Sequence, residues 1–153
     1  MKPYVDTNFL LRVYLNYEET DAAMARIQSM RLSGNSCPID WLHRIEFANA
    51  LQLLVFQSRS GGQPHVTPEA AAVALHDFET ELKTGGVLRE VSLPTAELTK
   101  NCQQLSARHT AALGCRTYDL IHVTAALLLQ CDTFWSFDAK ASKLAKLEGL
   151  KVP

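Results

Sequence analysis

A strand that ends on an aspartate and hands over to a helix occurs at both ends of this 153-residue chain. At the start, Met1 to Val5 leads into Asp6-Thr7-Asn8 and an apolar helix. Near the end, a buried strand from Thr133 to Phe137 leads into Asp138 and an amphipathic helix from Ala139 to Glu148. Strands that alternate with helices argue for a three-layer α/β domain with a mainly parallel central sheet flanked by helices. In such sheets ligands bind beyond the carboxyl ends of the strands, where both aspartates fall.

The segments between obey the same grammar. Leu10, Leu11, Tyr14 and Leu15 recur at helical spacing from Thr7 to Asn16, and a second helix runs from Thr20 or Asp21 to Leu32. Ser36 to Ile39 predicts a brief strand, because Pro38 interrupts it. Asp40 caps a long helix from Trp41 to about Ser58 that is apolar almost all round. Such a helix is expected to be buried on more than one side, and within one small domain it suggests a partner surface, such as that of a homodimer. Thr67-Pro68-Glu69 opens a helix that stops at Gly85-Gly86. Val87 to Leu93 predicts a third strand, and Thr95 to Leu113 a helix ended by Gly114. A helix opening at Asp119, with Thr117 as a competing cap, a turn near Cys131-Asp132 and a last edge strand over Leu150 to Val152 complete the pattern. One domain, residues 1–153, accounts for the whole.

Composition sets limits on function. A net charge of −1 excludes a strongly basic nucleic-acid binder, yet leaves room for a nuclease whose positive charge comes from bound metal. No apolar run has membrane-spanning length, and the N-terminus has no signal-peptide design. Cys37, Cys102, Cys115 and Cys131 form no C-x-x-C pair, which favours reduced thiols in a cytoplasmic protein over zinc or a redox dithiol.

Four carboxylates carry the chemical argument. Asp6 and Asp138 each follow a strand, and each has a plain alternative as an N-cap. Asn8 adds a polar group beside Asp6, and Ser136 points to the same side of its strand as Asp138. Asp119 lies in a first helical turn, where the helix dipole already favours negative charge, so local reasoning leaves it evenly balanced. Glu46 is the most informative. It sits among Leu42, Ile45, Phe47 and Ala50, where a carboxylate is costly unless it is paired or bound to a metal. The candidate partners near in sequence are His43, three residues before it, and Arg44, and a structural role that used neither would need a distant one. His122, one turn after Asp119, reads as a packed or hydrogen-bonded histidine, since no second histidine stands at ligand spacing.

Four motifs in order resemble those of PIN domains, and in particular of the VapC-type toxins of toxin–antitoxin pairs. They are Tyr4-Val5-Asp6-Thr7-Asn8, Arg44 to Leu51, Arg116 to Ile121, and Trp135 to Lys140. The resemblance implies a Rossmann-like sheet with the acidic residues converging at its carboxyl edge. It implies a Mg²⁺- or Mn²⁺-dependent endoribonuclease, usually dimeric, silenced by a cognate antitoxin. Asp6 and Asp119 would be the principal metal ligands, Glu46 and Asp138 would complete the catalytic quartet, and Thr7, Asn8 and Ser136 would support it. His122-Val123-Thr124 departs from the small apolar run common after the third acidic residue.

Hard divalent cations take oxygen ligands, and clustered carboxylates without one repel each other, which raises the pKa of at least one. Arg44, Arg116 and Lys140 lie near the quartet in sequence and are candidates for contacts to RNA phosphates, with ordinary surface charge as the alternative for each. A catalytically silent PIN-like RNA- or protein-binding module is the competing reading. A haloacid-dehalogenase-type phosphatase ranks low, because Asn8 stands where that chemistry wants a second aspartate.

Overall fold

The computed structural model describes residues 1–153. In chain order the elements are β1 (Pro3–Val5), α1 (Thr7–Tyr14), α2 (Thr20–Leu32), β2 (Cys37–Ile39), α3 (Trp41–Ser58), α4 (Pro68–Thr84), β3 (Leu88–Glu90), α5 (Thr95–Leu113), α6 (Thr117–Leu128), β4 (Thr133–Trp135) and α7 (Ala139–Leu147). The strands are shorter than the apolar patterns implied, and α6 opens at Thr117, two residues before Asp119. Leu150 to Val152 contributes only a single parallel bridge, Thr133 with Lys151.

All the pairing is parallel: β1 with β4, and β2 with β3. Alternation along the strands divides the core into two layers. Val5, Ile39 and Trp135 pack with α1 to α4, while Tyr4 and Phe134 pack with α5 to α7. The three-layer arrangement follows, because strands covered on both faces must be apolar on both.

The central sheet is split, however. β1 and β2 run side by side but exchange no ladder hydrogen bonds. Asp6 N–H bonds to the Trp135 carbonyl, which turns the edge of Pro3 and Val5 toward β2. Cys37 N–H bonds to Val87 and the Ile39 carbonyl accepts from Val91, which turns Pro38 toward β1. Pro3 and Pro38 thus both turn toward the seam, and neither has an N–H to give. The seam carbonyl of Val5 is instead taken by a side chain: His43 Nε2 stands 2.8 Å from it and must be the donor. A histidine of α3 thereby ties down the strand end from which Asp6 projects.

The long helix α3 is covered by the rest of the chain on one side. That side is buried through Leu42, His43, Phe47, Leu51 and Val55, but Trp41, Ile45, Leu53 and Phe56 are exposed on the other. No helix is long and apolar enough to cross a membrane.

Candidate active site

Three helix N-termini and the interior of α3 deliver one carboxylate-lined pocket. Asp6 caps α1, accepting from Phe9 N–H at 2.8 Å. Asp138 caps α7, accepting from Lys140 and Ala141 N–H at 2.8 and 3.0 Å. Asp119 lies in the first turn of α6 and accepts from Arg116 N–H at 3.1 Å. Glu46 arrives from the middle of α3. Together with Thr7, Asn8, Leu11, Ala50, Arg116, Tyr118 and His122 they line a cavity of about 200 Å³. Asp6 and Asp138 are helix caps and Asp119 closes the capping box of α6, so a main-chain N–H fixes one edge of each aspartate and the pocket lies at their helix N-termini.

The supporting residues lock this arrangement. Ser136 donates its hydroxyl to Asp6 Oδ2 and accepts the Asp138 N–H, so one hydroxyl bridges the ends of β1 and β4. Thr7 donates to Glu46 Oε2. His122 Nε2 reaches the same oxygen at 2.7 Å, which supplies the distant partner that Glu46 required. Behind His122, its Nδ1 is 3.0 Å from the Tyr4 hydroxyl, which in turn is 3.2 Å from Asp40 Oδ2. Asp40 caps α3 through Leu42 and His43 N–H, and its other neighbour is the buried His43 ring at 2.9 Å. A buried polar chain thus runs Glu46–His122–Tyr4–Asp40–His43. Sequence reasoning placed His122 and Asp40 in structural roles but missed the chain. Tyr4 reads as a strand residue and His43 as a helix residue until strand register and helix phase bring them together.

Charge within the site is graded. Burial raises the pKa of Asp6, with Glu46 adding to the rise, and His122, Ser136 and the Phe9 N–H only partly offset it. For Glu46, burial also raises the pKa, but the His122 hydrogen bond and charge and the Thr7 hydroxyl outweigh it, leaving Glu46 below its ordinary value. Burial alone would lower His122, yet the Glu46 bond and the charges of Glu46, Asp6 and Asp40 carry it above its ordinary value. Asp138 is held low: burial opposes, but the Ala141 N–H and the Arg116 charge prevail. Burial opposes ionisation of Asp40 as well, but the hydrogen bond and charge of His43 overcome it and bring the pKa down to about 2.

The three basic candidates separate. Arg116 lies in the pocket, with Nε and Nη2 each 3.0 Å from an oxygen of Asp119 and Nη2 2.7 Å from Asp138 Oδ2. Arg44 does not line the pocket; its guanidinium bridges Glu79 and Glu90, because it lies on the opposite side of α3 from Glu46. Lys140 does not line it either: its Nζ is 3.5 Å from the Gly114 carbonyl, and only its backbone N–H touches the quartet. Tyr118, unremarked in the sequence, is exposed at the rim.

The donor set suits a hard divalent cation. Carboxylate oxygens predominate, and Asn8 Oδ1 is buried beside them without a hydrogen-bond partner. Both bonds to Glu46 fall on Oε2, which leaves Oε1 available. No three acidic side chains stand close enough as placed to share an ion; two built-in cations, Arg116 and His122, face them instead.

No family model matches the sequence, and no curated protein matches it. Solved structures do match in fold. One is a chain of VapBC2 from Rickettsia felis, solved bound to a DNA fragment from their promoter. It shares 14% identity, with a TM-score of 0.66 over 100% of this chain and 98% of that one. Another is PAE2754 from Pyrobaculum aerophilum, with 16% identity and a TM-score of 0.61 over 99% of this chain and 89% of that one. At these identities the likeness speaks to fold alone, and this chain shares with both the three-layer α/β fold that the sequence implied.

Proposed function

We propose that this protein is a divalent-metal-dependent endoribonuclease, the toxin of a VapBC-type pair that a cognate antitoxin holds in check. One observation carries the reading: Asp6, Glu46, Asp119 and Asp138, from four separate elements, line a single pocket in which only Leu11, Ala50 and Tyr118 are apolar. Asp6 and Asp119 would hold Mg²⁺ or Mn²⁺, with Glu46 and Asp138 completing the set and Asn8 Oδ1 as a further oxygen donor. When bound, such an ion supplies Lewis acidity toward a phosphoryl oxygen and lowers the pKa of water.

The chain's own residues do the rest. Ser136 and the Phe9 N–H orient the Asp6 oxygens, and Thr7 and His122 fix Glu46 with Oε1 toward the pocket. Glu46 stays ionised and can accept a proton at Oε1, while His122 compensates its charge from behind. Tyr118 at the rim offers an aromatic face on which an unpaired base can stack, as single-stranded RNA requires. The fold shared with the VapBC2 chain supports an antitoxin partner, and the exposed apolar side of α3 supports a homodimer. A cytoplasmic setting goes with both.

One observation favours the alternative, a catalytically silent PIN-like binding module: Arg116 already neutralises Asp119 and Asp138, and no three acids converge. The two readings part on two variants. Asp6→Asn and Asp119→Asn are each expected to abolish Mn²⁺-dependent RNA cleavage and growth arrest, while circular dichroism stays unchanged. Full activity in both variants, or none in the unaltered protein at saturating Mn²⁺, rejects the nuclease.

A further inference from the structure

We infer that the Arg116 guanidinium is a resident counter-cation, competing with the metal for Asp119 and Asp138 and leaving them when the metal binds. The inference rests on the metal-site reading above and assigns to one side chain how that site is kept closed.

The geometry separates what is fixed from what can move. Every aspartate in the pocket is anchored by a main-chain donor that does not depend on Arg116's side chain. Asp6 has the Phe9 N–H, Asp119 has the Arg116 N–H, and Asp138 has those of Lys140 and Ala141. The Asp119 side chain is 8% exposed and that of Asp138 25%, whereas the Arg116 side chain is 62% exposed. The guanidinium therefore reaches in from solvent over carboxylates that stay in place without it. Its fork covers both oxygens of Asp119, the coordination positions a cation would need, and its Nη2 bridges to Asp138. An arginine cannot vacate the site by losing a proton, so a cation gains these oxygens only by displacing it. An exposed guanidinium is readily released, because water solvates it once it swings out. From the pocket mouth the freed fork then matches a phosphodiester bidentately, which couples metal entry to substrate capture.

Calorimetric titration with Mn²⁺ alone tests this on the full chain, comparing the unaltered protein with Arg116→Met, Arg116→Lys and Asp119→Asn. The guanidinium gives up three charge-assisted hydrogen bonds, but water replaces them at an exposed group, and a net cost of about one such bond corresponds to about a tenfold change in affinity. Arg116→Met is therefore expected to bind Mn²⁺ about tenfold more tightly than the unaltered protein. Arg116→Lys, which keeps the charge but not the fork, is expected to fall between them, and Asp119→Asn to lose binding. The inference also requires Arg116→Met to be less stable than the unaltered protein in EDTA and to gain more in melting temperature from Mn²⁺. If the unaltered protein binds Mn²⁺ and Arg116→Met binds it equally or more weakly, the competitor role is overturned and the metal site stands. If no form binds Mn²⁺, the metal-site reading falls and takes this inference with it. Arg116→Gln answers the same question should the methionine variant not fold.

Discussion

Replacing His122 by leucine should cost stability in a pH-dependent way. The ring is buried, and its Nε2 lies 2.7 Å from a Glu46 carboxylate whose side chain is 24% exposed. Removing one partner of a fully buried ion pair typically costs about 3–5 kcal/mol. Glu46 can partly rehydrate through the pocket, so about 2–3 kcal/mol is the expectation here. The sign follows from both groups. The pKa of His122 is raised above 6.5, so its contribution is complete below that value and is lost as pH rises through the folded-state pKa. The pKa of Glu46 is lowered below 4.5, so its contribution is complete above that value and is lost as pH falls through the folded-state pKa. The pair therefore stabilises most between pH 4.5 and 6.5. Urea unfolding of the unaltered protein, His122→Leu, Glu46→Gln and the double variant, in EDTA from about pH 4 to about pH 9, gives the coupling energy as a double-mutant cycle. It should peak inside that window and fall to about 1 kcal/mol, the value of a neutral hydrogen bond, once His122 is neutral. A coupling that is flat with pH, or absent near its middle, refutes the pairing.

Asp6→Asn should be at least as stable as the unaltered protein near neutral pH even as cleavage is lost. Burial raises the Asp6 pKa, so ionising it costs the folded state stability as pH rises past its ordinary value of 3.8, and a neutral amide escapes that cost while still capping α1. Urea unfolding at about pH 4 and about pH 7 checks this, the advantage of the Asp6→Asn variant growing toward the higher pH. Ile45→Glu, on the exposed side of α3, should convert a homodimer to monomer with little change in monomer stability, as read by light scattering and thermal unfolding.

The order of elements was legible because it depends on local rules, whereas the four carboxylates were singled out as a set by the resemblance of their motifs. Asp6 and Asp138 follow strands and cap helices, Asp119 sits in a first turn, and Glu46 interrupts an apolar helix. Each is a statement about neighbours in sequence, and the four motifs fixed their order. Local rules also misled. Arg44 is two residues from Glu46, but on a helix that separation carries it to the opposite side, where Glu79 and Glu90 claim it. For α3 the apolar run left open which side the fold itself covers, and Trp41, Ile45, Leu53 and Phe56 stay exposed.

What tertiary structure alone decided is how those carboxylates are held and by which cations. The partner of Glu46 is His122, 76 residues away. The bond that ties down the Asp6 strand comes from His43, at a seam toward which Pro3 and Pro38 both turn and where no ladder forms. No periodicity predicts such contacts, since they arise from strand register and from the phase at which α3 and α6 cross the sheet edge. The sequence alone determined that the chain would carry four carboxylates to one edge of a parallel sheet. Their unequal surroundings, and the arginine poised over two of them, belong to the packed molecule, because burial and long-range hydrogen bonds exist only once it has folded.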